Sequence, residues 1–124
     1  LEDYETQFAG VLERAIGFAG REASRVIVLA IPDWGVTPFA VQSGRDREQI
    51  ASQLDAFNAA AQRITEARGA NFVDTAPVSR ECGGEVAMLA DDGLHPSGAM
   101  YALWADAVAG TILRLAIPWR LPAA

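Results

Sequence analysis

The chain has one histidine and one cysteine among its 124 residues, His95 and Cys82. A single cysteine excludes an internal disulfide. One His and one Cys are too few for a zinc centre of the usual ligand types, so no metal is expected. Basic residues are scarce and scattered, ten against sixteen acidic ones, for a net charge of −6 and a pI near 4.6. Nucleic-acid surfaces need clustered Lys and Arg, so no nucleic-acid partner is expected. No apolar run approaches the roughly 18 residues of a membrane span. No signal peptide is visible, which gives a cytoplasmic expectation. The chain opens at Leu1 already inside a helical pattern, and the expectation is that its true N-terminus lies upstream.

What is present suits one globular domain or part of one, since 51% of the residues are hydrophobic. Tyr4, Phe8, Val11, Leu12, Ala15 and Ala19 recur at helical spacing and predict a helix over residues 2–19, ended by Gly20. Residues 25–31 form a short, β-branched apolar run stopped by Pro32, which predicts a strand buried on both faces. Residues 32–45 read as a loop. Asp46 with Gln49 resembles a capping box, and Ile50, Leu54, Phe57, Ala61 and Ile64 carry a helix to about Arg68. A second strand is predicted at residues 71–74 and a loop at 75–96. Ser97 can cap a last helix with Met100, Leu103, Trp104, Ala107, Val108, Ile112 and Leu115 on its apolar face. Tyr101 and Trp104 are expected in the core. The tail at residues 118–124 has two prolines and reads as irregular.

Strands alternating with helices imply an α/β fold with a parallel sheet. Two strands are too few for it, because a buried parallel strand needs neighbours on both sides. The expectation is therefore that residues 1–117 are the C-terminal part of a larger α/β domain, or that another chain covers the open side. An exposed sheet edge also predicts association.

The chemistry concentrates in Asp91-Asp92-Gly93-Leu94-His95-Pro96. A spacing of three on a tight turn can return a carboxylate to an imidazole. Asp92 then fixes the tautomer of His95, and His95 acts as general base and acid towards a nucleophile. The same residues also suit a plain surface turn, for which Asp-Gly is common. In open α/β sheets ligands bind beyond the carboxyl ends of the strands, where both this loop and Asp33-Trp34 fall. Trp34 can line a substrate pocket or pack under its loop, and Asp33 can orient that loop or simply end the strand, the second being the expectation. Asp91 beside Asp92 does not suit a glycosidase pair, whose carboxylates must flank one bond. Cys82 reads as a loop thiol. None of Ser24, Ser43, Ser52, Ser79 and Ser97 sits in a nucleophile elbow.

Asp92-Gly93-Leu94-His95-Pro96-Ser97-Gly98 resembles the last motif block of the SGNH hydrolases, the GDSL-type esterases and lipases. Ile31-Pro32-Asp33-Trp34-Gly35-Val36-Thr37-Pro38-Phe39 is similar to a post-strand loop in one bacterial branch. Asp55-Ala56-Phe57-Asn58 and Phe72-Val73-Asp74 fit that branch too, and the resemblance runs from Leu1 to about Val108. It implies a flavodoxin-like three-layer α/β/α sandwich, of which only the C-terminal portion is present. It implies cleavage of a small-molecule carboxylic ester through an acyl-enzyme, without metal or organic cofactor, with Asp92 as triad acid and His95 as base. The family's serine block, and the glycine and asparagine blocks of its oxyanion hole, have no counterparts here. The nucleophile is thus expected in an upstream segment or on a companion chain, with the isolated chain inactive. A non-catalytic binding module of the same fold is the alternative.

Overall fold

The computed structural model describes residues 1–115. The expected end of the domain at residue 117 and the irregular tail over 118–124 lie outside the described residues. Seven regular elements follow in order: α1 (Glu2–Phe18), β1 (Ile27–Leu29), α2 (Pro38–Ser43), α3 (Arg47–Ala67), β2 (Asn71–Val73), α4 (Ala76–Cys82) and α5 (Gly98–Arg114). The fold is α/β and mostly helical.

β1 and β2 pair in parallel, with Ile27 opposite Asn71, Val28 opposite Phe72 and Leu29 opposite Val73. The crossover between them contains α2 and α3. Hydrogen bonds from Asn71 N to Val26 O and from Ala30 N to Val73 O, both 3.0 Å, extend the ladder at each end. At the carboxyl edge, the buried Thr75 donates its hydroxyl to Ala30 O at 3.1 Å.

The first strand is shorter than its apolar run, because residues Ala23–Arg25 form a 3₁₀ turn. Nor is it buried on both faces. Leu29 is 38% exposed and Ile31 37% exposed, since β2 is the only strand paired with it among the described residues.

Two segments expected as loops contain helices. Thr37 caps α2 by accepting from Ala40 N, Pro38 opens the helix, and Gly44 ends it at φ +68°. This is the usual Thr-Pro start and Gly stop, compressed into six residues. α4 likewise has a proline in its first turn, and Asp74 accepts from Ala76 N at 3.0 Å. Cys82 therefore ends a helix instead of lying in a loop.

α3 begins as expected, with Asp46 Oδ1 accepting from Glu48 N and Gln49 N at 2.9 and 3.1 Å. Its apolar face packs on α1, on β2 and on the Trp34–Val36 turn. Ala40, Ile50 and Leu54 form a buried cluster against which Trp34 packs. α5 buries Met100 and Trp104, but Tyr101 is 58% exposed and only edges the Trp104 ring. It follows the buried Met100 by one residue, about 100° further round the helix, which turns it off the buried stripe.

Candidate active site

The chain leaving β1 is fastened by α3 and α4. Asn58, buried on α3, accepts from Ile31 N at 2.8 Å and donates to Ile31 O at 2.9 Å. Two residues on, Asp33 is only 4% exposed. Its Oδ1 accepts from Gly35 N at 2.9 Å, and Ser79 Oγ accepts from its backbone N–H at 2.8 Å. Arg80 on α4 donates Nε to Asp33 Oδ2 at 2.8 Å and Nη2 to Asp55 at 2.7 Å. Asp33 thus orients the loop and does more than end the strand. These carboxylates hold the Arg80 guanidinium above its ordinary pKa, Asp33 first and Asp55 second. Gly35 has no room for a side chain, because a Cβ there would lie 2.9 Å from Asp33 Oδ1. The result is a fixed turn that presents Trp34.

The histidine loop closes on itself. Leu89 and Pro96 bridge in antiparallel fashion at its base, with Ala90 N donating to His95 O at 2.8 Å. Gly93 takes φ +67° at the tip, a conformation that favours glycine. Asp92 Oδ1 accepts from Leu94 N and His95 N, each at 2.9 Å, while Oδ2 meets His95 Nδ1 at 2.5 Å. The bond to His95, then the two backbone amides, hold the Asp92 carboxyl down at about 2. With Nδ1 tied to the carboxylate, Nε2 is the free ring nitrogen; the imidazole is 72% exposed. Ser97 accepts from Met100 N and caps α5, which anchors the loop.

The two loops meet across a cleft of about 450 Å³. Ile31, Pro32, Trp34 and Phe39 line one side, and Leu94, His95 and Pro96 the other. Ser43 and Arg45 complete the lining. Trp34 and His95 therefore share one cavity, on the carboxyl edge of the sheet. Phe39 N donates to Gly93 O at 3.2 Å, tying α2 to the tip of the histidine loop.

Three serines near this region have their hydroxyl protons engaged elsewhere. Ser43 donates to Ala40 O, Ser79 to Ala76 O and Ser97 to Ala87 O, each at 2.7 Å. Burial and the neighbouring Glu85 and Glu81 raise the Cys82 thiol, which disfavours a thiolate. Among the described residues no three His, Cys, Asp or Glu side chains cluster to hold a metal ion. No helix among them is long and apolar enough to cross a membrane.

Sequence pattern gives Arg80 and Arg45 no role in the site, and it places Asn58 in the Asp55–Asn58 block without indicating its partner. Their partners lie at Ile31, Asp33 and Trp34, too distant along the chain for spacing to signal them.

The model of the GDSL-like Lipase/Acylhydrolase family matches residues 2–103 of this chain. No curated protein and no solved structure matches it. The chain belongs to the GDSL-like lipase/acylhydrolase family, with hydrolase-type chemistry as the function that membership supports.

Proposed function

We propose that this member of the family is a serine-dependent hydrolase of carboxylic esters, acting through an acyl-enzyme. Asp92 and His95 are its acid and base, and the serine lies outside these 124 residues. The observation that carries this reading is the 2.5 Å bond between Asp92 Oδ2 and His95 Nδ1 at the mouth of a cleft walled by Trp34.

The serine hydroxyl gives its proton to His95 Nε2 as its oxygen attacks the ester carbonyl. The imidazolium is held by the ionised Asp92. Collapse of the tetrahedral intermediate breaks the bond to the alcohol, which takes the proton back from Nε2. Water then repeats the sequence against the acyl-serine, releasing the acid and restoring the hydroxyl. Trp34 supports the apolar part of the substrate. The proposal includes a three-layer sandwich completed by strands beside β1, which the exposed Leu29 supports.

A second reading, a binding module of this fold, is favoured by one observation. The hydroxyls of Ser43, Ser79 and Ser97 are all committed to backbone carbonyls. Fluorophosphonate labelling read by intact mass and peptide mapping separates the readings. An adduct on a serine in an additional segment or a companion chain is the expected result. An adduct on one of the five serines of this sequence would overturn the placement of the nucleophile. Absence of any adduct on folded protein would favour the binding module.

A further inference from the structure

We propose that Arg45 makes this cleft selective for substrates that pair an apolar segment with an oxyanion group, such as a free carboxylate. This rests on the ester-hydrolase reading of the same site and adds the substrate class. Arg45 follows Gly44 at the end of α2, and its guanidinium carbon lies 5.7 Å from the centre of the Trp34 ring. Cation–π stacking steadies one flat face and leaves the in-plane N–H donors free for a bidentate acceptor.

Among the described residues Arg14, Arg21 and Arg25 also lack a carboxylate partner but do not line the cleft, and four further arginines are already engaged. Arg47 donates to Gly35 O, Arg63 pairs with Glu5, Arg68 with Glu13, and Arg80 with Asp33 and Asp55. Among the described residues no carboxylate lies within 4.0 Å of the Arg45 side chain, although acidic groups outnumber basic ones sixteen to ten. The adjacent Asp46 spends its Oδ1 on the first amides of α3.

The cleft lining contains no carboxylate, and Arg45 and His95 are its only ionisable members. In a chain of net charge −6, Arg45 is thus the one fixed positive charge of an apolar-walled lining, with the Asp92 carboxylate held against Nδ1 of His95. Trp34, Phe39 and Ile31 suit a short alkyl or aryl chain, and Arg45 suits the anion beyond it.

The test on the active protein compares the nitrophenyl monoester of adipic acid with nitrophenyl hexanoate, its neutral counterpart. A preference for the anionic ester of roughly tenfold in kcat/KM is expected, the worth of one charge-assisted contact at a partly open site. Added salt weakens it. Arg45→Gln brings the ratio of the two kcat/KM values close to one, and Arg45→Lys keeps part of it. An unchanged ratio in Arg45→Gln, or no preference in the parent protein, would overturn the proposal. A binding measurement stands apart from turnover. Hexanoate and hexanamide are titrated while the ring NMR signal of His95, the only histidine, is followed. Tighter binding of hexanoate that is lost in Arg45→Gln supports the anion site even where no ester is cleaved, in which case the hydrolase reading alone fails. Equal binding of the two ligands sinks the anion site.

Discussion

The segment at residues 31–37 is fastened by residues far along the chain, whereas the loop at residues 92–95 fastens itself. Asp33 meets Arg80 across 47 positions, and Ile31 meets Asn58 across 27. Asp92 meets His95 across three, and its other oxygen serves two amides of the same turn. The first region buries Asp33, Gly35 and Thr37 and depends on the packing of α3 and α4. The second is open, with His95 72% and Asp92 50% exposed. One wall of the cleft is therefore an achievement of the whole fold, and the other is local chemistry placed on it. Mutations should separate the two: damage to the wall should register in stability, and damage to the dyad in activity.

The largest effect belongs to His95→Gln. On the active protein, loss of the base should lower the rate by roughly 10⁶-fold, on the pattern of serine triads. The side chain is mostly exposed, so unfolding in urea should shift by less than about 0.5 kcal/mol. A variant that retained most of its activity would remove His95 from the chemistry. One that lost stability to match would break the contrast between the loops.

Next is Arg80→Ala, which leaves the buried Asp33 carboxylate without its guanidinium partner. Breaking such a pair from the exposed side should cost about 3 kcal/mol, at the low end because Arg80 is itself 36% exposed. Asp33→Asn should cost less, about 1 kcal/mol, since it leaves no buried charge and Arg80 keeps Asp55. Urea midpoints at constant m-value measure both. Equal losses in the two variants would mean that Asp33 is not buried as a charge, and the strap would then be ordinary surface pairing.

The same divide governs what was legible beforehand. The Asp92/His95 pair, the strand positions and the long helices α1, α3 and α5 are written in short spacings that a single pass along the chain detects. α2 and α4 read as loops from the sequence although Thr37-Pro38, Gly44 and Pro77 are terminal signals, because six or seven residues are too few to show a period. The apolarity of residues 25–31 overstates their burial, because it records what a strand is suited to contact and not what surrounds it. The positions of Arg80 under Asp33 and Arg45 over Trp34 follow from how α2, α3 and α4 pack. No local spacing encodes them. The resemblance to the family is carried by local blocks of the same kind, residues 31–39 and 92–98, both of which lie within the matched residues 2–103.

The smallest effect is a displacement on the pH axis, and it tests whether the histidine loop holds itself in solution. Asp92 titrates at about 2 instead of 3.8, chiefly because His95 bonds to its carboxylate and then because the amides of His95 and Leu94 do. A carboxyl whose folded pKa is depressed adds stability that is complete above its unfolded value and is lost as pH falls through the folded one. Asp92 should therefore stay ionised to below 3.8 and lose its charge only near 2. The ¹³C shift of the Asp92 carboxyl, followed during acid titration, should show its midpoint there. In His95→Gln the midpoint should rise towards 3.8, the remainder of the depression being the share of the two amides. A parent midpoint already at 3.8 would mean that the turn does not hold the carboxylate against the imidazole by itself. The orienting of His95 would then have to come from whatever packs over the cleft.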